Sequence, residues 1–184
     1  SYLYSNITAM LPNHFISADE QAELQLFTES LERFCDAEIE PHYRTWEKAG
    51  RVPRDLLRKM GENGYLCADV PEQYGGPGAS VHFSFAVVEV LSRRGYGGFV
   101  GGLQVHNDII PPYLLHCGTE AQRAHWLPRM ASGEAIAAIG MTEPGAGSDL
   151  KAIRATARKD GDHDVINGSK AFVSHGQKCD LRVR

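Results

Sequence analysis

Residues 139–150 read IGMTEPGAGSDL. Ile139, Gly140 and Met141 close the apolar run EAIAAIGM at 134–141, and the chain then turns at once to Thr142, Glu143, Pro144, Gly145, Ala146, Gly147, Ser148 and Asp149. A strand that meets a proline and two glycines loses a ladder donor and the side chains that would cover its backbone. The amides and hydroxyls so exposed are donors, and a hydrogen bond from such a donor to a charged acceptor contributes about 1.5–3 kcal/mol. Two or three of them anchor a pyrophosphate or the polar edge of a ring. The same composition also suits an ordinary turn between strands.

Familiar glycine motifs do not fit the stretch. A dinucleotide fingerprint needs a third glycine and a following helix, but Leu150 stands in that place and further strands follow. No Lys-Ser/Thr pair makes a phosphate loop, and Ser148 lacks the flanking glycines of a nucleophile elbow.

Upstream, the pattern is helical. Ser17 and Glu20 form an S-x-x-E capping box, and Leu24, Phe27, Leu31, Phe34 and Cys35 repeat at helical spacing up to Pro41. Pro53 suits a first helical position, Leu56, Leu57 and Met60 share one face, and Gly64 suits a left-handed stop. After the loop VPEQYGGPG at 70–78, Ser80 is placed to cap a helix whose Phe83, Val87, Val90 and Leu91 face the core. FVGGLQVHNDII at 99–110 predicts a further buried helix before Pro111 and Pro112, and Thr119 with Gln122 predicts another capping box. Past Gly133 the period changes. IRATARKDGDHDVINGSKAFVSHG at 153–176 holds two hairpin dipeptides, Asp160-Gly161 and Asn167-Gly168, which predict antiparallel strands.

The chain is therefore expected to be α+β: an extension over residues 1–16, an all-helical domain over 17–132, and the start of an antiparallel β domain over 133–184. Its 184 residues, 42% of them hydrophobic, support a sizeable core. A formal charge of −4 with no basic run argues against nucleic-acid or anionic-membrane partners. Cys35, Cys67, Cys117 and Cys179 lie far apart and are read as buried free thiols, and the histidines show no ligand spacing, so no metal is expected. His106 is expected to be a hydrogen-bonded core residue rather than part of a pocket, and Lys170 a solvated strand residue. The sequons at Asn6 and Asn167 would matter only in a secreted protein. With no signal peptide and no membrane-length apolar run, the expectation is a cytoplasmic protein, or one of the mitochondrial matrix if eukaryotic.

GMTEPGAGSDL at 140–150 resembles the signature segment of the acyl-CoA dehydrogenase family, and NGSKAFVSHG at 167–176 resembles that family's second flavin segment at the expected distance. PHYRTWEKAG, VPEQYGGPG, HWLPRMASGE and the tract 160–176 extend the likeness over nearly the whole chain, and its wording is nearest to the long-chain branch. The resemblance implies a helical domain, a β domain and a second helical domain, absent here, around FAD. It implies oxidation of an acyl-CoA thioester to the trans-2-enoyl product: a carboxylate removes the α proton while the β hydride passes to the flavin. It further implies fatty-acid β-oxidation, an electron-transfer flavoprotein as acceptor and a homo-oligomer, specifically a homotetramer.

Carried over by position, Ile139, Gly140, Met141, Thr142, Glu143, Pro144, Gly145, Ala146, Gly147 and Ser148 line the cofactor, with the Thr142 hydroxyl at the ring edge. Ser148 stands where cofactor phosphate and substrate meet, and is the one substrate-binding residue expected. Phe172, Val173 and Ser174 form the second wall; many members carry Trp and Thr where this chain has Phe172 and Ser174, which keeps an aromatic face and a hydroxyl. Without the motif beside it, Phe172 would be read as a core residue of a strand. Glu143 and Asp149 brace the loop rather than exchange protons. No catalytic residue is nominated, because the family's general base lies in the C-terminal helical domain. The ending LRVR, with Arg182 and Arg184 where an apolar strand is usual, leads to the expectation of a truncated chain that is catalytically silent alone and aggregates along its open sheet edge. Two alternatives stay open: an oxidase or monooxygenase of the same fold, and a non-catalytic helical interaction module.

Overall fold

The structure is a computed structural model that describes residues 16–183. All but Ile16 of the expected extension, including the Asn6 sequon, lies outside the described residues, as does Arg184.

Helix α1, Ala18–Phe34, starts where Ser17 accepts from the Glu20 amide at 3.1 Å. It buries Leu24 and Leu31, then widens into a π-helical turn, Cys35–Ile39, that keeps Cys35 and Ile39 in the core. Only half of the expected capping box forms. The Glu20 carboxylate instead accepts from the Ser80 hydroxyl at the head of α4, Val81–Arg93, so Ser80 flanks that helix without capping it. A bond to an ionised acceptor is stronger than a neutral cap. After the short α2, Tyr43–Lys48, comes α3, Arg54–Glu62, which buries Leu56, Leu57 and Met60 as expected. Pro53, with ψ at 149°, precedes α3 rather than opening it.

Helix α5, Gly97–Gln104, does not stop before the prolines. A π-helical turn, Val105–Ile109, carries the chain into α6, Ile110–Cys117, with the Ile110 amide bonding the Val105 carbonyl. That turn starts a fresh helix in which Pro111 and Pro112 occupy the first positions, where missing donors cost nothing. Helix α7, Glu120–Ala131, has the full capping box: Gln122 N–H to Thr119 Oγ1 at 3.3 Å and Thr119 N–H to Gln122 Oε1 at 2.9 Å.

One core, from Leu31 through Leu57, Leu91, Leu103 and Met130, runs on into Ala135, Ile136 and Ala137. The end of α7 touches α3 backbone to backbone. A Cβ on Gly133 would lie 2.2 Å from the Leu57 carbonyl oxygen, and one on Gly61 would lie 2.3 Å from the Ser132 carbonyl carbon. Strand β1, Ala137–Ile139, leaves directly from this contact.

The helical domain is followed by a small β region, as the sequence predicts, with one pairing corrected. Strands β2, Thr156–Asp160, and β3, His163–Asn167, form the antiparallel hairpin expected at Asp160-Gly161. The second dipeptide makes no hairpin. Gly168, at φ +153°, lets the chain pass Ala155, whose Cβ an added methyl would approach to 2.5 Å, and residues 168–180 then run without strand pairing. Strand β4, Leu181–Val183, returns beside β1 in parallel, Ala137 opposite Leu181 and Ile139 opposite Val183. A long connection permits a parallel return that a tight turn forbids.

Candidate functional site

The signature loop begins where the β1 ladder runs out. Gly140 N–H gives the last bond, 2.8 Å to the Val183 carbonyl. Glu143 and Ala146 then exchange main-chain bonds of 2.9 and 3.1 Å, folding Pro144 and Gly145 into a tip. Among the described residues, the amides of Met141, Thr142, Gly145, Gly147 and Ser148 donate to no main-chain carbonyl. A Cβ on Gly145 or Gly147 would meet nothing within 4 Å, so the flank of the loop is open. Ile139 and Thr142 are half-buried, Gly140, Glu143 and Ala146 buried, and Met141, Pro144, Gly147 and Ser148 exposed.

Glu143 holds this shape. Its carboxylate accepts from Arg154 N–H at 2.8 Å, Ala155 N–H at 3.0 Å and the Lys170 ammonium at 2.9 Å. The Arg154 amide and then the Lys170 ammonium do most to hold its pKa down at about 2. Both acceptor oxygens are engaged, which suits a brace and not a proton carrier. Asp149 braces more locally, accepting from the Lys151 amide at 3.1 Å.

Lys170 is not the solvated strand residue expected. It lies on no strand, its side chain is only 11% exposed, and besides Glu143 it donates to the Met141 carbonyl at 3.1 Å. Next to it, Ala171 N–H bonds the Thr142 carbonyl at 2.9 Å. The two segments singled out by the sequence are thus joined, at Met141–Glu143 on one side and Lys170–Ala171 on the other. Beyond that joint, Phe172 stands 93% exposed at φ +53°, so it is not a core residue of a strand. Val173 is half-buried and Ser174 exposed. A concavity of about 610 Å³ opens beside the joint, lined by Gly140, Met141, Val173 and Lys170 together with Ala155, Ala157 and Ile166 of the hairpin side. Thr142, Ser148, Phe172 and Ser174 do not line it.

The loop is registered against the helices by groups behind it. His106 is fully buried; its Nδ1 accepts from Ala137 N–H at 3.2 Å, so Nε2 carries the proton it donates to the Met130 carbonyl at 3.1 Å. The hydrogen-bonded core histidine expected from the sequence is thus found, tying the end of α7 to the start of β1. Burial pushes its pKa down to about 4. At the other edge, Arg54 at the head of α3 donates to the Glu134 carbonyl at 3.0 Å and pairs with Asp180 at 2.7 Å, while Asp180 accepts from Ile136 N–H at 2.8 Å. Neither Arg54 nor Lys170 carries a local sequence signal; only the opposite charge of a distant partner marks them. Among the described residues no group of three or more His, Cys, Asp or Glu is placed to hold a metal, and no helix is long and apolar enough to cross a membrane.

Comparison with known proteins bears on both halves. The family model "Acyl-CoA dehydrogenase, N-terminal domain" matches residues 21–134 and "Acyl-CoA dehydrogenase, middle domain" matches residues 138–183. The mitochondrial long-chain specific acyl-CoA dehydrogenase of Sus scrofa is 41% identical over 163 residues, 88% of this chain and 37% of its own. A crystal structure of acyl-CoA dehydrogenase from Geobacillus kaustophilus superposes with a TM-score of 0.84 at 44% identity, over 92% of this chain and 43% of that one. That of an acyl-CoA dehydrogenase from Bacillus anthracis complexed with FAD gives a TM-score of 0.83 at 32% identity, over 95% of this chain and 29% of that one. The chain spans less than half the length of each of these three proteins.

Proposed function

This chain belongs to the acyl-CoA dehydrogenase family, and from that premise we propose that its protein holds FAD between residues 139–148 and 172–174 and oxidises an acyl-CoA thioester to the trans-2-enoyl-CoA. The observation that carries the reading is the joint itself: the Ala171 amide on Thr142, and the Lys170 ammonium on Met141 and Glu143, bring the two segments together while leaving main-chain donors unspent beside them. The flavin, when bound, supplies hydride acceptance. Everything else falls to the chain's own groups.

The residues fit such a group. Among the described residues the Met141 and Thr142 amides have no main-chain acceptor, so a ring edge would take them up at no cost in lost bonds. Gly145 and Gly147 leave room for a ligand against the backbone, and the amides of Gly147 and Ser148 suit a phosphate. Ser148 meets cofactor and substrate together. Phe172 offers an exposed aromatic face and Ser174 an exposed hydroxyl. Glu143 is spent on bracing, and the carboxylate that removes the α proton is assigned to no residue here. The division into a helical domain over 17–132 and a β domain over 133–184, a long-chain substrate, electron-transfer flavoprotein as acceptor and a homo-oligomeric state belong to the same reading.

The test is spectroscopic. The protein is expected to take up FAD, quench its fluorescence, and lose visible flavin absorbance when acyl-CoA is added under anaerobic conditions to a preparation carrying the complete family length. A full-length preparation that stays colourless in excess FAD overturns the reading. Rapid oxygen consumption with acyl-CoA would favour an oxidase of the same fold.

A further inference from the structure

The second segment carries two costs that a contact with a ring edge does not explain. His175, immediately after Ser174, stands in the left-handed region at φ +62°, uncommon for a residue with a Cβ. Its Nδ1 is enclosed and, among the described residues, has no hydrogen-bond partner, where nearly every buried polar atom has one. Burial first, then the charges of Lys178 and His106, pushes the imidazole down to about 4 against a smaller opposing pull from the nearby Ala137 main chain, so the ring is neutral at neutral pH.

What the ring meets is a bare stretch of α5. A Cβ built on Gly102 would lie 2.6 Å from His175 Nε2, 3.0 Å from Cδ2 and 3.3 Å from Cε1, and these are its three nearest atoms. One built on Gly101, the neighbouring residue, would meet nothing within 4 Å. The missing side chain at position 102 is therefore matched to one ring from a distant segment.

We propose that His175 is a positioning residue: seated on Gly102, its imidazole fastens the Phe172–Ser174 segment to the helical domain and sets where that segment's aromatic ring and hydroxyl stand. The inference rests on reading Phe172–Ser174 as a wall of the flavin site. The segment is held at both ends, by Lys170 and Ala171 on the signature loop and by His175 on α5, and between these anchors Phe172 and Ser174 remain exposed. The left-handed backbone and the unpartnered nitrogen are the strain this arrangement tolerates.

Gly102→Ala tests the seat without touching the segment. The atoms in its way are the far end of a side chain, and Ala favours a helix over Gly, so the imidazole is what yields. Amide exchange of residues 172–176, measured without FAD, is expected to quicken by roughly tenfold or more in this variant with the global melting temperature unchanged or raised. Gly101→Ala, the matched control, should exchange as wild type. His175→Asn keeps a residue tolerant of left-handed φ and removes the ring. It should quicken the same amides, and adding Gly102→Ala to it should change nothing further, the signature of one shared contact. FAD affinity should follow the same order, with a loss of about tenfold in Gly102→Ala. Wild-type exchange at 172–176 in both Gly102→Ala and His175→Asn overturns the inference, whether or not FAD binds. A wild-type protein of complete length that takes up no FAD overturns the flavin reading instead and leaves the exchange result to stand. Should Gly102→Ala not fold while Gly101→Ala does, His175→Asn alone decides.

Discussion

At the scale of single residues, Glu143 and Lys170 form the element on which the site turns. Glu143→Gln keeps the shape but sets an amide N–H₂ against the Arg154 or Ala155 amide or the Lys170 ammonium, donor facing donor. Faster exchange at the Arg154 and Ala155 amides and weaker FAD uptake are the expected results. Lys170→Met should do the same more mildly, since both backbone donors to Glu143 remain, and Lys170→Arg should retain most of the binding. Acid acts on the same group. The folded-state pKa of about 2 lies below the ordinary value of 4.5, so its contribution is full above that value and is lost as pH falls towards 2. Exchange at Arg154 and Ala155 followed down that range checks both statements. The bracing role of Glu143 was readable from the motif that carries it. The roles of Lys170 and His175 were not, because each is defined by a partner far away in the chain, and neither the engaged lysine nor the left-handed histidine has a local pattern. The left-handed Phe172 was equally hidden, since aromatic residues seldom take that conformation.

Among the elements, the approach of α3 to the end of α7 sets where β1 begins. Gly133→Ala, at φ +72° with a methyl 2.2 Å from the Leu57 carbonyl, is expected to cost about 3 kcal/mol or more, because backbone and not a side chain stands in the way. Gly64→Ala, at φ +74° with nothing within 4 Å, should cost only about 1–2 kcal/mol. Urea midpoints at unchanged slope measure both. Helix positions were legible because apolar spacing and caps are local, as at Ser17 and Thr119. The continuation through Pro111 was not, since a π turn rearranges main-chain bonds without a distinctive side-chain signal. The parallel return of β4 was hidden for a related reason: strand periodicity records which face is buried, not the direction of the neighbour.

For the molecule as a whole, His106 is the buried link between helical bundle and β region, and it makes that link sensitive to acid. Its folded pKa, about 4, lies below the unfolded value of 6.5, so the unfolded chain binds more protons between those limits. Stability is therefore full above about 6.5 and declines as pH falls to 4, by on the order of 3 kcal/mol from this group. His175 adds a decline of the same sign. His106→Gln should be less stable at neutral pH, by about 1–3 kcal/mol for a buried group left unpaired, and should show a shallower fall over this window in urea titrations at stepped pH. The order of elements was legible in the change of period after Gly133, and the family likeness in two short segments. Their mutual placement depends on groups such as His106 and Arg54 that only the folded chain brings together. The pairing of β1 with β4 also bears on how the molecule is made. A ribosome that has released β1 has not yet released its partner, so the bundle can settle on local contacts while the signature loop waits for β4 to arrive. Closing that distant ladder meets its loop entropy late, so the signature loop is expected to settle after the helices.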